Sequence, residues 1–432
     1  MVAVVLAPTP HRHACLADWL AWQERLHGRE IELGLERCRT VASRLGLGPP
    51  AYTVVSVAGT NGKGSSVAML SAILRASGYR IGTYTSPHLL RYNERIRIGD
   101  APVCDEAICD AFQRIDDARG DVTLTFFEFG TLAALDLFSR AQIEIAVLEV
   151  GLGGRLDAVN LVDADVALVT AIDLDHLEWL GHDRESIARE KAGIFRAGRP
   201  AVCSDPRPPR AIAEAAAEVG AELYQLGRDF DYRAGQADWI WESRRSAPVR
   251  LPRPRLAGDF QFENAAGVMM VLEALACRHP TAVAARDAGL REVRLSGRFE
   301  VLPGEPEVVL DVAHNPHAAS SLARTLASSE PRDHTHVIVG MLKDKDFRGV
   351  LSALSGVADS WHVVDLPSSR AASAAQLEGA LRELGVPAPI RRYRTPASAH
   401  ERVVRAVAGA RDRILVYGSF LTVAGVLHGL RR

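Results

Sequence analysis

The sequence predicts an α/β protein whose mostly parallel sheets are covered by helices on both faces. Three observations carry that expectation. Apolar strand-like runs alternate with helix-like runs along most of the 432 residues. Those apolar runs are near-continuous, as in strands buried on both sides. The alternation then restarts after Leu295-Ser296-Gly297-Arg298, so the chain divides into units of residues 1–296 and 297–432. A chain of this length suits two cores better than one.

Residues 52–56 read as a strand, 59–65 as a glycine-rich turn and 66–74 as a helix. A strand follows at 80–84, helices at 104–119 and 127–140, and strands at 143–150 and 164–170. The Ala-rich segment 211–217 reads as helix surface. Residues 227–255 differ: Trp239, Trp241 and Pro252-Arg253-Pro254 among alternating polar residues predict a small antiparallel insertion. A helix over 262–277 closes the first unit. The second has strands at 307–311, 336–340 and 413–418 and a helix at 316–326. The first unit is thus a P-loop-type domain and the smaller second unit a Rossmann-like one.

Composition excludes some classes. A formal net charge of -2 gives no general affinity for nucleic acid or an anionic membrane. No run of 18 apolar residues exists, so no spanning helix is expected. The apolar start, residues 1–8, is short and lacks a basic segment before it, so it does not read as a secretory signal. Six scattered cysteines without a C-x-x-C pair suit a reducing cytoplasm.

The chemistry concentrates in Val57-Ala58-Gly59-Thr60-Asn61-Gly62-Lys63-Gly64-Ser65. Glycines between a strand and a helix let backbone N–H groups turn inward, and the helix N-terminus adds partial positive charge. Lys63 can neutralise a phosphate and Ser65 can offer a hydroxyl to Mg²⁺. The order departs from G-x-x-x-x-G-K-[ST], because Gly64 separates Lys63 from Ser65. Polar residues also fall at the C-terminal ends of strands, where parallel sheets bind ligands. They are Ser86, Glu149, and Asp173, Asp175 and His176. Together they are candidate ligands of a divalent ion beside the phosphates. In the second unit Asp311, His314-Asn315-Pro316-His317 and the hinge residue Arg298 face back toward that site. On their own, Lys191, Lys343 and Lys345 read as solvated surface charges.

The full set of motifs resembles a known family. The loop is similar to that of the Mur ligase superfamily. Ser86-Pro87-His88, Leu124-Thr125-Phe126-Phe127-Glu128-Phe129-Gly130-Thr131, Glu149-Val150-Gly151-Leu152-Gly153-Gly154-Arg155-Leu156-Asp157-Ala158, Asp175-His176, Glu190-Lys191-Ala192-Gly193-Ile194 and Asp311-Val312-Ala313-His314-Asn315-Pro316 narrow it to the folylpolyglutamate synthases. Ile31-Glu32-Leu33-Gly34-Leu35-Glu36-Arg37 points to the bifunctional members that also act as dihydrofolate synthases.

The resemblance implies an ATP-dependent ligase. It would add L-glutamate to dihydropteroate and to folates through an acyl phosphate. Thr60, Asn61, Gly62, Lys63, Gly64, Ser65, Asn264, Arg298 and Asp311 would contact ATP. Ser86, Glu149 and His176 would hold Mg²⁺. Lys191 would carry a CO₂-derived carbamate on a second Mg²⁺, reversing its reading as a surface charge. Lys63, Lys191, His176 and His314 would be the catalytic set. Glu32, Leu33, Gly34, Thr125, Phe126, Phe127, Glu128, Leu156, Asp157 and Ala158 would shape the dihydropteroate pocket. Ser419 would join His314 on the glutamate side. One departure stands out: Phe260 occupies a position where relatives often carry His. The resemblance further implies a cytoplasmic monomer with only small-molecule partners.

Two other classes share the loop. A cell-wall Mur ligase would need a further N-terminal domain, and only about fifty residues precede the loop here. A nucleotide-binding switch would not need the second unit's Asp-x-x-His-Asn-Pro.

Overall fold

The computed structural model describes residues 14–430. The apolar stretch 1–8 lies outside them. Three sheets organise the chain. The first contains β1 (Thr53–Ala58), β2 (Ile81–Tyr84), β3 (Ile96–Ile98), β4 (Ala101–Pro102), β5 (Ile145–Glu149), β6 (Val166–Val169), β7 (Pro200–Cys203) and β8 (Glu222–Gln225). Its spatial order is β4-β3-β2-β5-β1-β6-β7-β8, parallel except for the β2–β3–β4 edge.

Both faces of this sheet are covered, and β1 shows why. Every residue of β1 is buried. Val54 and Ala58 point into a core with Trp22 and Phe129. Val55 and Val57 point into another with Met69 and Met270. Successive strand side chains alternate in direction, so a strand buried along its whole length needs a covering layer on each side. The insertion expected at 227–255 is a three-stranded antiparallel sheet of β9 (Phe230–Ala234), β10 (Asp238–Ser243) and β11 (Val249–Pro252). Trp239 and Trp241, two apart on β10, are both fully buried, and Trp239 Nε1 donates to the Pro252 carbonyl at 3.0 Å.

The last sheet contains β12 (Glu300–Leu302), β13 (Glu307–Leu310), β14 (Thr335–Val339), β15 (Ser360–Val364), β16 (Ile390–Tyr393) and β17 (Arg413–Tyr417). Its order is β12-β13-β17-β14-β15-β16, parallel apart from β12. The chain enters this sheet through Gly297 (φ 71°) and Phe299 (φ 47°), both left-handed.

Some elements differ from the sequence reading. The N-terminal helices Leu16–Leu26 and Glu36–Arg44 were not expected, yet Trp19, Trp22 and Cys38 bury them against the first sheet's core. The Ala-rich helix Arg210–Val219 is not plain surface: Ala211, Ile212 and Ala216 are buried. Apart from Ile212, its apolar face is made of alanines, which is why composition concealed it.

Candidate functional site

The C-terminal ends of both large sheets face one cleft of about 220 Å³. The glycine loop forms one wall. Gly62 has φ 91°, and a Cβ there would collide with the Asn264 side chain. Thr60 pins the loop's start, since its Oγ1 donates to the Asp173 carbonyl at 2.9 Å. Lys63 folds back over its own loop, donating to the Gly59 and Thr60 carbonyls at 2.9 and 3.3 Å. Burial lowers its pKa, while the Glu149 and Asp175 charges oppose that. Ser65 accepts from Gln261 Nε2 at 3.3 Å, and Asn264 donates to Gln261 Oε1 at 3.0 Å. The loop and the helix Phe260–Leu275 are therefore one hydrogen-bonded unit.

Glu149 ends β5 and is 5% exposed. Burial raises its pKa against the pull of Lys63, and it accepts from the Ser86 N–H at 3.2 Å. His176 stands at φ 51°, a left-handed conformation rare for a residue with a Cβ and typical of sites that over-determine the backbone. Burial lowers its pKa to about 4. Lys191, at the C-terminal end of the helix Arg184–Ala192, is 3% exposed. Its amine lines the cleft with no side-chain partner among the described residues, and burial, reinforced by Lys63, lowers its pKa to about 7. The solvated-charge reading of Lys191 is thereby corrected.

The last sheet supplies the opposite wall. Asp311 follows β13 and accepts from the Phe299 N–H at 2.9 Å and the Ala313 N–H at 2.7 Å. Arg298 lies 5.2 Å from the Phe420 ring centroid. The two walls meet directly. Asn61 and Asn315 exchange side-chain amide hydrogen bonds at 3.1 and 3.2 Å. Asp175 receives Asn315 Nδ2 at 3.2 Å and lies 3.6 Å from His314 Nε2. Lys345 Nζ donates to Asp175 Oδ1 at 2.6 Å, and its side chain is only 7% exposed. Lys345 too is therefore no surface charge. Burial alone would raise the Asp175 pKa, but His314, Lys345 and His176 together hold it far below the carboxylate range.

The cleft thus gathers Thr60, Asn61, Gly62, Lys63, Gly64, Ser65, Ser86, Glu149, His176, Lys191, Asn264, Arg298, Asp311 and His314. The other expected residues lie apart from its lining. Arg37 bridges Glu32 Oε1 at 2.5 Å and Glu128 Oε1 at 2.9 Å. Glu128 also closes a capping box with Thr125. Gly34 N–H reaches the Leu156 carbonyl at 3.2 Å. Asp157 accepts from the N–H groups of Leu152 and Val159, next to Ala158, and burial raises its pKa to about 6. Phe126 lies under the Arg95 guanidinium, 5.4 Å away, and Phe127 packs on Tyr84. This second cluster adjoins the cleft through Gly151 and Leu152, since a Cβ on Gly151 would meet Phe127. Ser419 is outside the lining: its hydroxyl is engaged with the N–H and hydroxyl of Thr422. Leu33 brings no side-chain hydrogen bond.

Comparison with known proteins decides the family. Residues 57–272 match the Mur ligase middle domain and residues 297–420 the glutamate ligase domain of Mur ligases. The chain is 44% identical to the dihydrofolate synthase/folylpolyglutamate synthase of Escherichia coli, over 98% of this chain and 97% of that one.

The chain belongs to the dihydrofolate synthase/folylpolyglutamate synthase family.

The corresponding Haemophilus influenzae protein is 38% identical over 95% of this chain and 96% of its own. The solved structure of E. coli FolC with DHPP and ADP superposes with a TM-score of 0.92 at 44% identity, covering 98% of this chain and 99% of that one. A bifunctional family member with Mn, AMPPNP and L-glutamate bound gives 0.90 at 45% identity, covering 98% and 100%. The family is one of carbon–nitrogen ligases, and the fold is theirs over nearly the whole length. The relatives are folate enzymes, which removes the cell-wall alternative.

The donor set fits a magnesium nucleotide. Among the described residues no three His, Cys, Asp or Glu side chains converge as a metal cage. Mg²⁺ does not need one, because it takes one or two carboxylates and fills the rest with water and phosphate oxygens. Glu149, His176 and the Ser86 hydroxyl lining the same cleft as the glycine loop match that habit.

Proposed function

We propose that the chain uses ATP to join the carboxylate of dihydropteroate, or of a folyl glutamate, to the amine of L-glutamate. The observation that carries this reading is the single cleft that sets the phosphate loop against Arg298, Asp311 and His314. A carboxylate resists amines until one oxygen becomes a good leaving group. Here that oxygen attacks the γ-phosphorus of ATP, ADP departs, and an acyl phosphate forms. The glutamate amine then attacks the acyl carbon and inorganic phosphate leaves with the oxygen.

Phosphoryl transfer asks mainly for positioning and charge neutralisation. The N–H groups of residues 60–65 cradle the β- and γ-phosphates, and Lys63 swings from its loop carbonyls to the transferring phosphoryl group. Arg298 clamps the phosphates from the second lobe, bidentate as guanidinium favours. Asn264 positions the adenine side and Asp311 takes a ribose hydroxyl. His314 faces the glutamate side. Ser86, Glu149, His176 and a carbamate on Lys191 would hold two Mg²⁺, which when bound neutralise charge on the transferring phosphate. A buried amine with a pKa near 7 is substantially neutral at pH 7 and can add to CO₂, releasing a proton. The Glu32–Gly34, Thr125–Glu128 and Leu156–Ala158 segments hold the pterin end. Closure of the lobes keeps water from the acyl phosphate.

Residues 1–296 form the nucleotide and pterin unit and 297–432 the ligase unit, consistent with the third sheet beginning at Glu300. The protein acts as a cytoplasmic monomer on small molecules, with neither nucleic acid nor membrane as partner. No helix among the described residues is long and apolar enough to cross a membrane. The test is phosphate release from ATP. It should require both glutamate and a pteroate or folate; release with neither acceptor, at the full rate, overturns the reading.

A further inference from the structure

We propose that Lys345 is a tethered counter-cation of the metal centre, docked on Asp175 and His176 so that a divalent ion must displace it to reach the imidazole. This rests on the reading of His176 as a metal ligand.

Lys345 comes from the second lobe, in the loop after β14, and its carboxylate and imidazole partners from the first. Its ammonium is 2.6 Å from Asp175 Oδ1 and 3.2 Å from His176 Nε2. An ammonium has no lone pair, so it donates and Nε2 accepts. That nitrogen has one in-plane lone pair and serves one donor or one metal ion at a time. The backbone that carries the imidazole is held in place: His176 is left-handed, and its backbone N–H donates to Asp175 Oδ1 at 2.9 Å.

The charge logic points the same way. Asp175 is an anion whose side chain is 10% exposed, and the second lobe brings it Lys345, His314 and Asn315. A divalent cation entering beside Asp175 repels the ammonium and competes for the same electrostatic well. Linkage makes the effect reciprocal: metal loading loosens this contact between the lobes, and the contact opposes metal loading.

The test is a titration of the nucleotide-free protein with Mn²⁺ alone, with free Mn²⁺ followed by electron paramagnetic resonance. Lys345→Met should bind Mn²⁺ tighter by on the order of tenfold, the loss of one charge-assisted hydrogen bond. Lys345→Arg keeps the charge and should stay near wild type. Lys343→Met, whose lysine donates only to the exposed Ser369 carbonyl, should not change. Should Lys345→Met lose its native melt, Lys345→Gln gives the same comparison. Unchanged or weaker Mn²⁺ binding by the neutral variant overturns the proposal. His176→Ala separates the two readings. If it loses Mn²⁺ affinity while Lys345→Met is unaltered, only the counter-cation falls; if it binds like wild type, the metal reading of His176 falls and takes the counter-cation with it.

Discussion

Lys63, Lys191 and Lys345 look alike in sequence, a basic residue in or beside a helix, yet Lys63 and Lys191 line the cleft and Lys345 docks on Asp175 in its wall, each by a different route. Lys63 was legible because the glycines before it have no other use between a strand and a helix. Lys191 was legible only through its family motif, since local sequence does not show which face of a short helix meets a neighbour. Lys345 was not legible at all. Its partner Asp175 lies 170 residues away, and no local pattern encodes such a meeting. The site residues give two predictions. Lys63→Ala should lower kcat at least about 100-fold, as loss of a transition-state charge partner does; turnover close to normal would remove Lys63 from the chemistry. Lys191→Ala should be inactive and partly rescued by short-chain carboxylates such as formate, and wild-type activity should fall when CO₂ is removed. A variant that neither rescue nor CO₂ affects would mark a purely structural lysine.

Elements were read best where their burial is symmetric. The central strands β1, β5 and β6 of the first sheet have apolar layers on both sides, so their near-continuous apolar runs announce them. The two N-terminal helices are short and bury one narrow face each, and in Glu36–Arg44 a polar majority hides that face. The Glu128 carboxylate shows how such a helix is fixed. Its side chain is 4% exposed and depends on Arg37, from the helix Glu36–Arg44, for its countercharge. Removing Arg37 leaves a buried anion without its countercharge, held by the Thr125 N–H. Arg37→Met should therefore destabilise the protein by about 3 kcal/mol in chemical denaturation, and adding Glu128→Gln should recover much of the loss. Simple additivity in that pair would mean the ion pair is not what secures the helix. At the glycine loop, Gly62→Ala meets both a left-handed φ and the Asn264 side chain. It should weaken ATP binding at least tenfold by calorimetry, because the loop and the Phe260–Leu275 helix can no longer seat together.

At the scale of the whole molecule, the sequence announced two α/β units, but not how closely the units meet. That depends on long-range pairs such as Asn61 with Asn315 and on groups such as Glu263, whose surroundings come from both lobes. Burial, aided by Asp205, pushes the Glu263 pKa up to about 7, against Arg324 and Arg207. A carboxyl that holds its proton more tightly folded than unfolded favours folding below about pH 4.5 and loses that contribution as pH rises through 7. Glu263→Gln should therefore raise Tm at pH 8 and bring little gain at pH 5. An equal shift at both values would contradict the assignment. The overall reaction is checked by isotope. Labelled oxygen in the pteroate carboxylate should appear in the released phosphate, and its absence there would exclude the acyl phosphate.

Asp311 spends one carboxylate oxygen on the Phe299 amide, at the left-handed pivot through which the chain enters the second lobe. Its other oxygen accepts from the Ala313 amide, and when a remaining lone pair of that carboxylate takes the sugar of the nucleotide, the sugar is felt at the pivot. A 2′-deoxy nucleotide would then dock with nearly full affinity yet leave the pivot slack, so dATP should be penalised in turnover more than in occupancy.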